Sequence, residues 1–250
     1  MSDWITRSVE VMCKSTVDDT VYKTCIAGHG DITYLQWLFQ AWGWTLLVAL
    51  IGLIIALAVG LVVGVMRTLP NRGLVWFGEA WTEFFRNIPL LVQLLIWQNV
   101  VAEIFPAFKS MPSIVLACVG LGLFTSARIS QQVMAGIKTI PTGQRHAGLA
   151  MGLTLRQTYR FVILPVALRI VLPTLTSESM NIIKNSSVAY AINVTELIFF
   201  AGQAGEETSM HATMYLGATI LYVISAFTIN RLAAGVEKHT RLPGAVGGAK

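Results

Sequence analysis

Residues 141–165 read PTGQRHAGLAMGLTLRQTYRFVILP, and the remaining chain is legible around them. The stretch holds Arg145, Arg156 and Arg160 but no Asp or Glu, and glycines at 143, 148 and 152 interrupt it. Ala147, Leu149, Ala150, Met151, Leu153 and Leu155 make it amphipathic over about two turns. It is too polar to cross a bilayer and too apolar for solvent alone. Two placements fit. The segment lies on lipid headgroups as a cytoplasmic loop helix, or it presses against another protein.

Its surroundings are membrane-like. Of 250 residues, 54% are hydrophobic and 12% charged, about half the charge of a soluble domain, which carries roughly 25%. No Asp, Glu, Lys or Arg occurs from Ile32 to Met66 or from Thr208 to Asn230. Each run exceeds the roughly 20 residues needed to span a hydrocarbon core. The first forty residues hold five acids and three bases, so the rest carries +7 against the chain's net +5. This is no nucleic-acid footprint, because the bases sit at the ends of predicted spans, where Lys and Arg mark cytoplasmic loops.

The hydropathy pattern predicts an all-α integral membrane protein of five spans. A polar external tail over 1–40 shows no apolar core of the secretory kind. Within it, Cys13 and Cys25 fit either an external disulfide or two free thiols. The first span is Ala41–Met66, with Gly60 and Gly64 in the GLVVG spacing that lets helices approach closely. Arg67 to Arg72 is a basic stop with Pro70 at its centre, and Leu74–Asn87 reads as an interfacial aromatic helix. Spans follow at about Ile88–Ile104, Pro112–Val133, Ala167–Ser187 and Ala212–Ala233. Asn193–His211 reads as an acidic external segment, with a re-entrant piece near Ile192–Ala201 as an option. The membrane domain thus covers 41–236 and a cytoplasmic tail 237–250. With the N-terminus out and the C-terminus in, every loop obeys the positive-inside rule.

Ionisable groups inside spans are costly and are therefore functional candidates. Arg128 stands sixteen residues past Pro112, ~24 Å along the helix, and shares a face with Thr125 and Gln132. It either lines a passage or snorkels to the inner headgroups. Thr174, Glu178, Asn181 and Asn185 form a stripe at spacings of 4, 3 and 4, with Ser177 and Lys184 beside it. Such a stripe faces protein or water rather than lipid, for interhelical hydrogen bonding or for a passage. Arg128 and Lys184 suit carboxylates and Glu178 suits an ammonium; an amino acid has both groups.

The opening stretch resembles the cytoplasmic loop of ABC-importer permeases, which reads Glu-Ala-Ala, three residues, Gly, nine residues, Ile, one residue, Leu-Pro. Here the register gives His146-Ala147-Gly148, Gly152, Val162 and Leu164-Pro165, so His146 replaces the acid and Gly148 the second alanine. TLPNR (68–72), FFRNIPLLVQ (84–93), GLGLFTSARISQQV (120–133), AMGLTL (150–155), TSESMNIIKNSS (176–187) and RLPG (241–244) resemble the polar amino-acid permeases, nearest the glutamate/aspartate branch. The resemblance implies the type I importer architecture in a bacterial inner membrane. It also implies a coupling helix over about 143–155, with Arg145, His146, Ala147, Gly148, Gly152, Leu164 and Pro165 facing an ATPase. Glu178 matches a family glutamate that contacts the substrate's α-ammonium. Gln131 stands where many relatives have glutamate, and Lys184-Asn185 where they have Lys-Asp. The implied partners are a cytoplasmic ATPase dimer, a second permease subunit (sister chain or copy), an extracytoplasmic binding protein, the amino-acid substrate and membrane lipid.

The chain has no Gly-x4-Gly-Lys-Ser/Thr phosphate loop, so ATP and Mg are expected on the partner and no cofactor or metal on this chain. His29, His146, His211 and His239 are scattered, and no nucleophile–base pair marks an enzyme. Two other readings fit the residues. One is a permease for glutamine or another polar amino acid. The other is an ion-coupled secondary carrier, whose inverted repeats and paired broken helices this sequence does not display.

Overall fold

The computed structural model describes residues 2–14 and 32–240, all helical apart from turns and a single bridge between Lys14 and Thr33. Helix α1 is Ser2–Met12, so part of the polar tail is ordered. Helix α2, Tyr34–Met66, begins well before the expected Ala41. The reason is local: Thr33 and Gln36 form a capping box, in which the Thr33 hydroxyl accepts from the Gln36 N–H and the Gln36 side chain accepts from the Thr33 N–H. Cys13 is buried; Cys25, on which the choice between a disulfide and two free thiols also depends, lies outside the described residues.

Helix α3 is Arg72–Asn87 and α4 is Leu90–Ile104, which loosens into a π-turn over Ile96–Val101; the two meet at 100°. Helix α5 is Ser113–Lys138, α6 is Thr142–Ala150 and α7 runs from Leu155 to Ile192, ending in a 3-10 stretch from Ser186. Helices α8, Leu197–Thr208, and α9, His211–Thr240, complete the chain. Four of these helices (α2, α5, α7 and α9) are long and apolar enough to cross a membrane, or five spans result if α3 and α4 count as one broken crossing.

Helix α2 passes through three successive apolar cores. Tyr34, Leu38 and Ala41 join Phe200 and Met214; Val48 and Ala49 join Leu94, Leu121 and Ile182; Ala56 joins Ile129, Val133 and Val171. Its contact with α5 is close to backbone on backbone. A Cβ on Gly60 would stand 2.7 Å from Ile129 Cβ and 2.8 Å from the Ser126 carbonyl, and one on Gly64 2.7 Å from Val133 Cβ. The fit is reciprocal, because a Cβ on Gly122 of α5 would meet Ile55 of α2 at 2.7 Å. Small residues create such contacts where lipid offers no hydrophobic gain between helices.

The acidic segment expected outside is helical and half-buried. Leu197, Phe200, Ala201 and Ala204 pack inward on α2 and α9. Glu196, fully buried, caps α8: its Oε1 accepts from Ile198 and Phe199 N–H at 2.9 and 3.0 Å, while Tyr222 donates to Oε2 at 2.6 Å. Burial raises the Glu196 pKa, and these donors oppose the rise. A carboxyl raised in this way stabilises the fold when protonated, and that contribution is lost as pH rises through its folded value.

The α2–α5 contact makes a direct expectation. Gly60→Ile should overpack the seam and cost about 1–3 kcal/mol, read as a lower melting temperature of the detergent-solubilised protein, whereas the same change at Gly43, which has nothing within 4 Å, should be tolerated.

Candidate substrate pocket and coupling elbow

The pocket forms where the second and third of these cores meet. On α5 the apolar Leu121 belongs to the second core and Ile129 to the third; on α7 these roles fall to Ile182 and Leu175. Between them project Arg128 and Glu178. Arg128 Nε lies 3.1 Å from Glu178 Oε2, and Gln132 Nε2 donates to Glu178 Oε1 at 2.9 Å. Glu178 is 3% exposed, so these side chains rather than solvent are its neighbours. The contact with Arg128 is an ion pair without hydrogen-bond alignment, which leaves Oε2 unsatisfied. Arg128, Gln132 and Glu178, together with Arg86, Phe124 and Gln131, line a cavity of about 400 Å³. Arg128 thus pairs across helices, from α5 to α7.

Other expected residues are placed apart from the cavity. Thr125 is buried one turn from Arg128, its hydroxyl unsatisfied among the described residues. Thr174 is exposed and donates to the Val171 carbonyl at 2.7 Å. Asn181 and Asn185 are half-buried, Lys184 is exposed, and none of these lines the cavity. Of the stripe on α7, only Glu178 reaches the cavity.

Arg86 and Phe124 were missed by sequence reasoning, which assigned 74–87 to the interface. Helix α3 packs on α5 through Trp81 and Thr82 and on the end of α2 through Gly78, whose Cβ would meet Arg67 and the Val63 carbonyl. Trp81 Nε1 donates to Ser126 Oγ at 3.2 Å and Thr82 Oγ1 lies 3.2 Å from Ser130 Oγ, which fixes the turn that carries Arg86. The sharp bend follows from Pro89, whose nitrogen cannot donate back to the Phe85 carbonyl. Gln93, 3% exposed, supplies the missing donor: its Nε2 bonds the Phe85 carbonyl at 2.7 Å and that of Ile88 at 2.9 Å.

The basic stretch forms an elbow, shorter than the single helix expected over 143–155. Helix α6 stops at Ala150, and Gly152 takes φ +83°. Leu153 N–H bonds the Gly148 carbonyl and Gly152 N–H that of Leu149, the paired bonds of a Schellman cap. Thr154 starts α7 through a second capping box with Gln157. Gly148 is buried, and a Cβ there would approach Thr158 Cγ2 to 2.8 Å, which explains a glycine where the family has alanine. Arg145 is half-buried; His146, Ala147, Leu149 and Met151 are exposed, Met151 at 83%. Leu164 and Pro165 lie inside the continuous helix α7, just past a π-turn over Tyr159–Ile163.

Residues 56–242 match the model of the family described as binding-protein-dependent transport system inner membrane component. The chain belongs to this family. It is 41% identical over 235 residues to the glutamate/aspartate import permease protein GltJ of Escherichia coli K12, covering 89% of this chain and 94% of the relative. It is 31% identical to the probable glutamine ABC transporter permease protein GlnM of Bacillus subtilis, covering 78% and 90%. The fold is similar to a chain in the crystal structure of an amino acid ABC transporter with histidines, with TM-score 0.73, 24% identity, and 82% and 95% of the two chains covered. A chain of the inward-facing MetNI methionine ABC transporter gives TM-score 0.64 at 23% identity, covering 84% and 96%.

The corner beneath Arg86 can be tested. Gln93→Leu should leave the buried Phe85 carbonyl without its side-chain donor, costing about 1–3 kcal/mol, and also release the part-buried Ile88 carbonyl. The expected readout is earlier thermal unfolding in detergent, with Gln93→Glu failing to restore the wild-type melting temperature.

Proposed function

We propose that this chain is the transmembrane permease subunit of an ATP-driven importer of glutamate and aspartate in a bacterial inner membrane. The observation that carries this reading is the Arg128–Glu178–Gln132 cluster at a cavity lined by α3, α5 and α7. The 41% identity to a glutamate/aspartate permease supports the choice of substrate. An amino-acid zwitterion replaces the internal ion pair, its ammonium going to Glu178 and a carboxylate to Arg128. Each charge keeps a partner throughout, so substrate entry leaves no buried charge exposed to apolar protein.

The chain crosses the membrane five times, with α3 and α4 forming one broken span, the N-terminus outside and the C-terminus inside. Residues 1–40 form the external part, 41–236 the membrane domain and 237–250 the cytoplasmic tail. ATP and Mg are bound and ATP is hydrolysed by a cytoplasmic ATPase dimer, while this chain is non-catalytic and holds no cofactor. A second permease, sister chain or copy, completes the passage, and an extracytoplasmic binding protein delivers the substrate. Thr174, Asn181, Lys184 and Asn185 lie along the passage beyond the pocket, and Thr125 supports it. The exposed Ala147, Leu149 and Met151, with Arg145, His146, Gly148 and Gly152, dock α6 on the ATPase; Leu164 and Pro165 carry the motion into α7. Nucleotide drives transport by stabilising the inward- and outward-facing states differently.

Arg128→Ala should lower ATP-dependent uptake of labelled glutamate at least tenfold, with the assembled complex recovered at wild-type yield. Unchanged uptake would remove Arg128 from the pathway; wild-type uptake competed by glutamine and not by aspartate would shift the substrate to the neutral branch. Gly152→Asp forces a side chain onto a left-handed backbone, costing about 1–2 kcal/mol. It should leave membrane insertion intact and separate ATP hydrolysis from uptake, and full coupled uptake in that variant would sink the docking role of the elbow.

A further inference from the structure

We propose that the groove where the end of α2 meets the start of α7 binds one anionic phospholipid, with an acyl chain against both helices and the phosphate on Arg160. The site is separate from the pocket and the elbow, and its ligand is lipid rather than cargo.

The groove is wholly apolar. Leu61, Val62, Val65 and Met66 of α2 and Leu164 and Leu168 of α7 bound a cavity of about 370 Å³. Its rim is open, because Val62 and Leu168 are exposed. On α2 it occupies the last turns of the charge-free run that ends at Met66, which is hydrocarbon depth just short of a headgroup layer. Water would find no polar partner on such walls. A chain of methylenes matches them.

What stands past the end of the groove selects the headgroup. Arg160 precedes Leu164 by four residues and Leu168 by eight, so the three share one side of α7. The Leu164 N–H bonds the Tyr159 carbonyl across the π-turn, and Tyr159 Oη donates to the Thr68 carbonyl at 2.7 Å. This last bond fastens the turn that carries Arg160 to the chain just beyond Met66. A cation therefore sits at the level where α2 leaves the hydrocarbon, with an apolar slot directly beneath it. Basic pockets between spans are where anionic headgroups bind.

The protein supplies no anion for this cation. No Asp or Glu occurs from 32 to 78 or from 104 to 177, which covers both walls and the elbow. Among the described residues no carboxylate forms an ion pair with Arg160. Its Cζ lies 5.5 Å from the ring centroid of Phe161, which is itself exposed. Such a contact works through charge and the aromatic face, so the N–H groups stay available to phosphate oxygens. Arg67, the nearest other base in sequence to Met66, is turned onto α3, where a Cβ on Gly78 would stand 2.5 Å from its Cγ.

The test titrates the purified full-length chain, in a neutral detergent, with phosphatidylglycerol or with phosphatidylcholine of the same acyl chains. Native mass spectrometry reads the affinity of the first lipid bound. The wild type should prefer phosphatidylglycerol about fivefold, which is the ~1 kcal/mol of one base near an anionic surface. Arg160→Gln should abolish that preference. Leu168→Trp fills the groove and should weaken both lipids at least fivefold; Val62→Trp takes its place if that variant does not fold. Arg231→Gln is the control and should change nothing, because Arg231 also stacks on a phenylalanine, Phe227 at 4.7 Å, but lines neither wall. Equal affinities for the two lipids in the wild type overturn the site. So does a preference that survives Arg160→Gln, or one that Arg231→Gln removes equally, or lipid binding indifferent to tryptophan on the groove wall. A wild-type chain that runs as a dimer and becomes monomeric with Leu168→Trp would also overturn it, since the occupant would then be a second copy.

Discussion

The approach of α2 to α5 is the constraint on which the other contacts depend. Lipid is as apolar as any side chain, so two membrane helices gain by packing only if their backbones come close. Gly60, Gly64 and Gly122 permit that, each placed where a Cβ would strike the opposite helix. Once α5 is held to α2, its remaining faces are free for other tasks. Ser126 and Ser130 receive α3, Gly136 accepts Val171 of α7, and Arg128 and Gln132 meet Glu178. One helix thus serves as the spine of the bundle and as a wall of the pocket.

Several freed backbone groups and buried charges in the interior have a side-chain partner. Pro89 strips a donor from the α3–α4 corner and Gln93 returns one. The start of α8 is served by Glu196, which Tyr222 holds in turn, and the Leu197 N–H is taken by Thr45 of α2. Such partners are missing at several places among the described residues: at Arg67, Gln93, Gln98, Thr125 and Arg145, and at one oxygen each of Gln132 and Glu178. The last two line the cavity, where a ligand can meet unmet hydrogen-bonding capacity.

Much of this was legible in the sequence. Long charge-free runs gave the spans, the GLVVG spacing gave a close contact, and Arg128 and Glu178 were marked by being ionisable where ionisable groups are costly. Three parts were not. The buried helix after Glu196 was hidden because its acids suggested solvent, although Glu196 is a cap and Glu206 and Glu207 lie on the exposed side. Arg86 was overlooked because an aromatic, mixed-charge segment reads the same at a membrane surface and against a partner helix. The stripe on α7 was periodic, yet periodicity names a face without saying what covers it. Only packing separated Glu178 from Thr174 and Lys184.

The elbow at Gly152 has a mechanical consequence. A Schellman cap on one side, a capping box on the other and the wedge of Gly148 against Thr158 make α6 and the first turn of α7 a stiff crank rather than a loose string. Beyond that crank the stiffness ends. Between the elbow and Glu178, α7 contains the π-turn over Tyr159–Ile163 and an internal Pro173, two places where a helix bends. The rigid corner and the pocket wall are thus joined by a flexing shaft rather than by a solid rod.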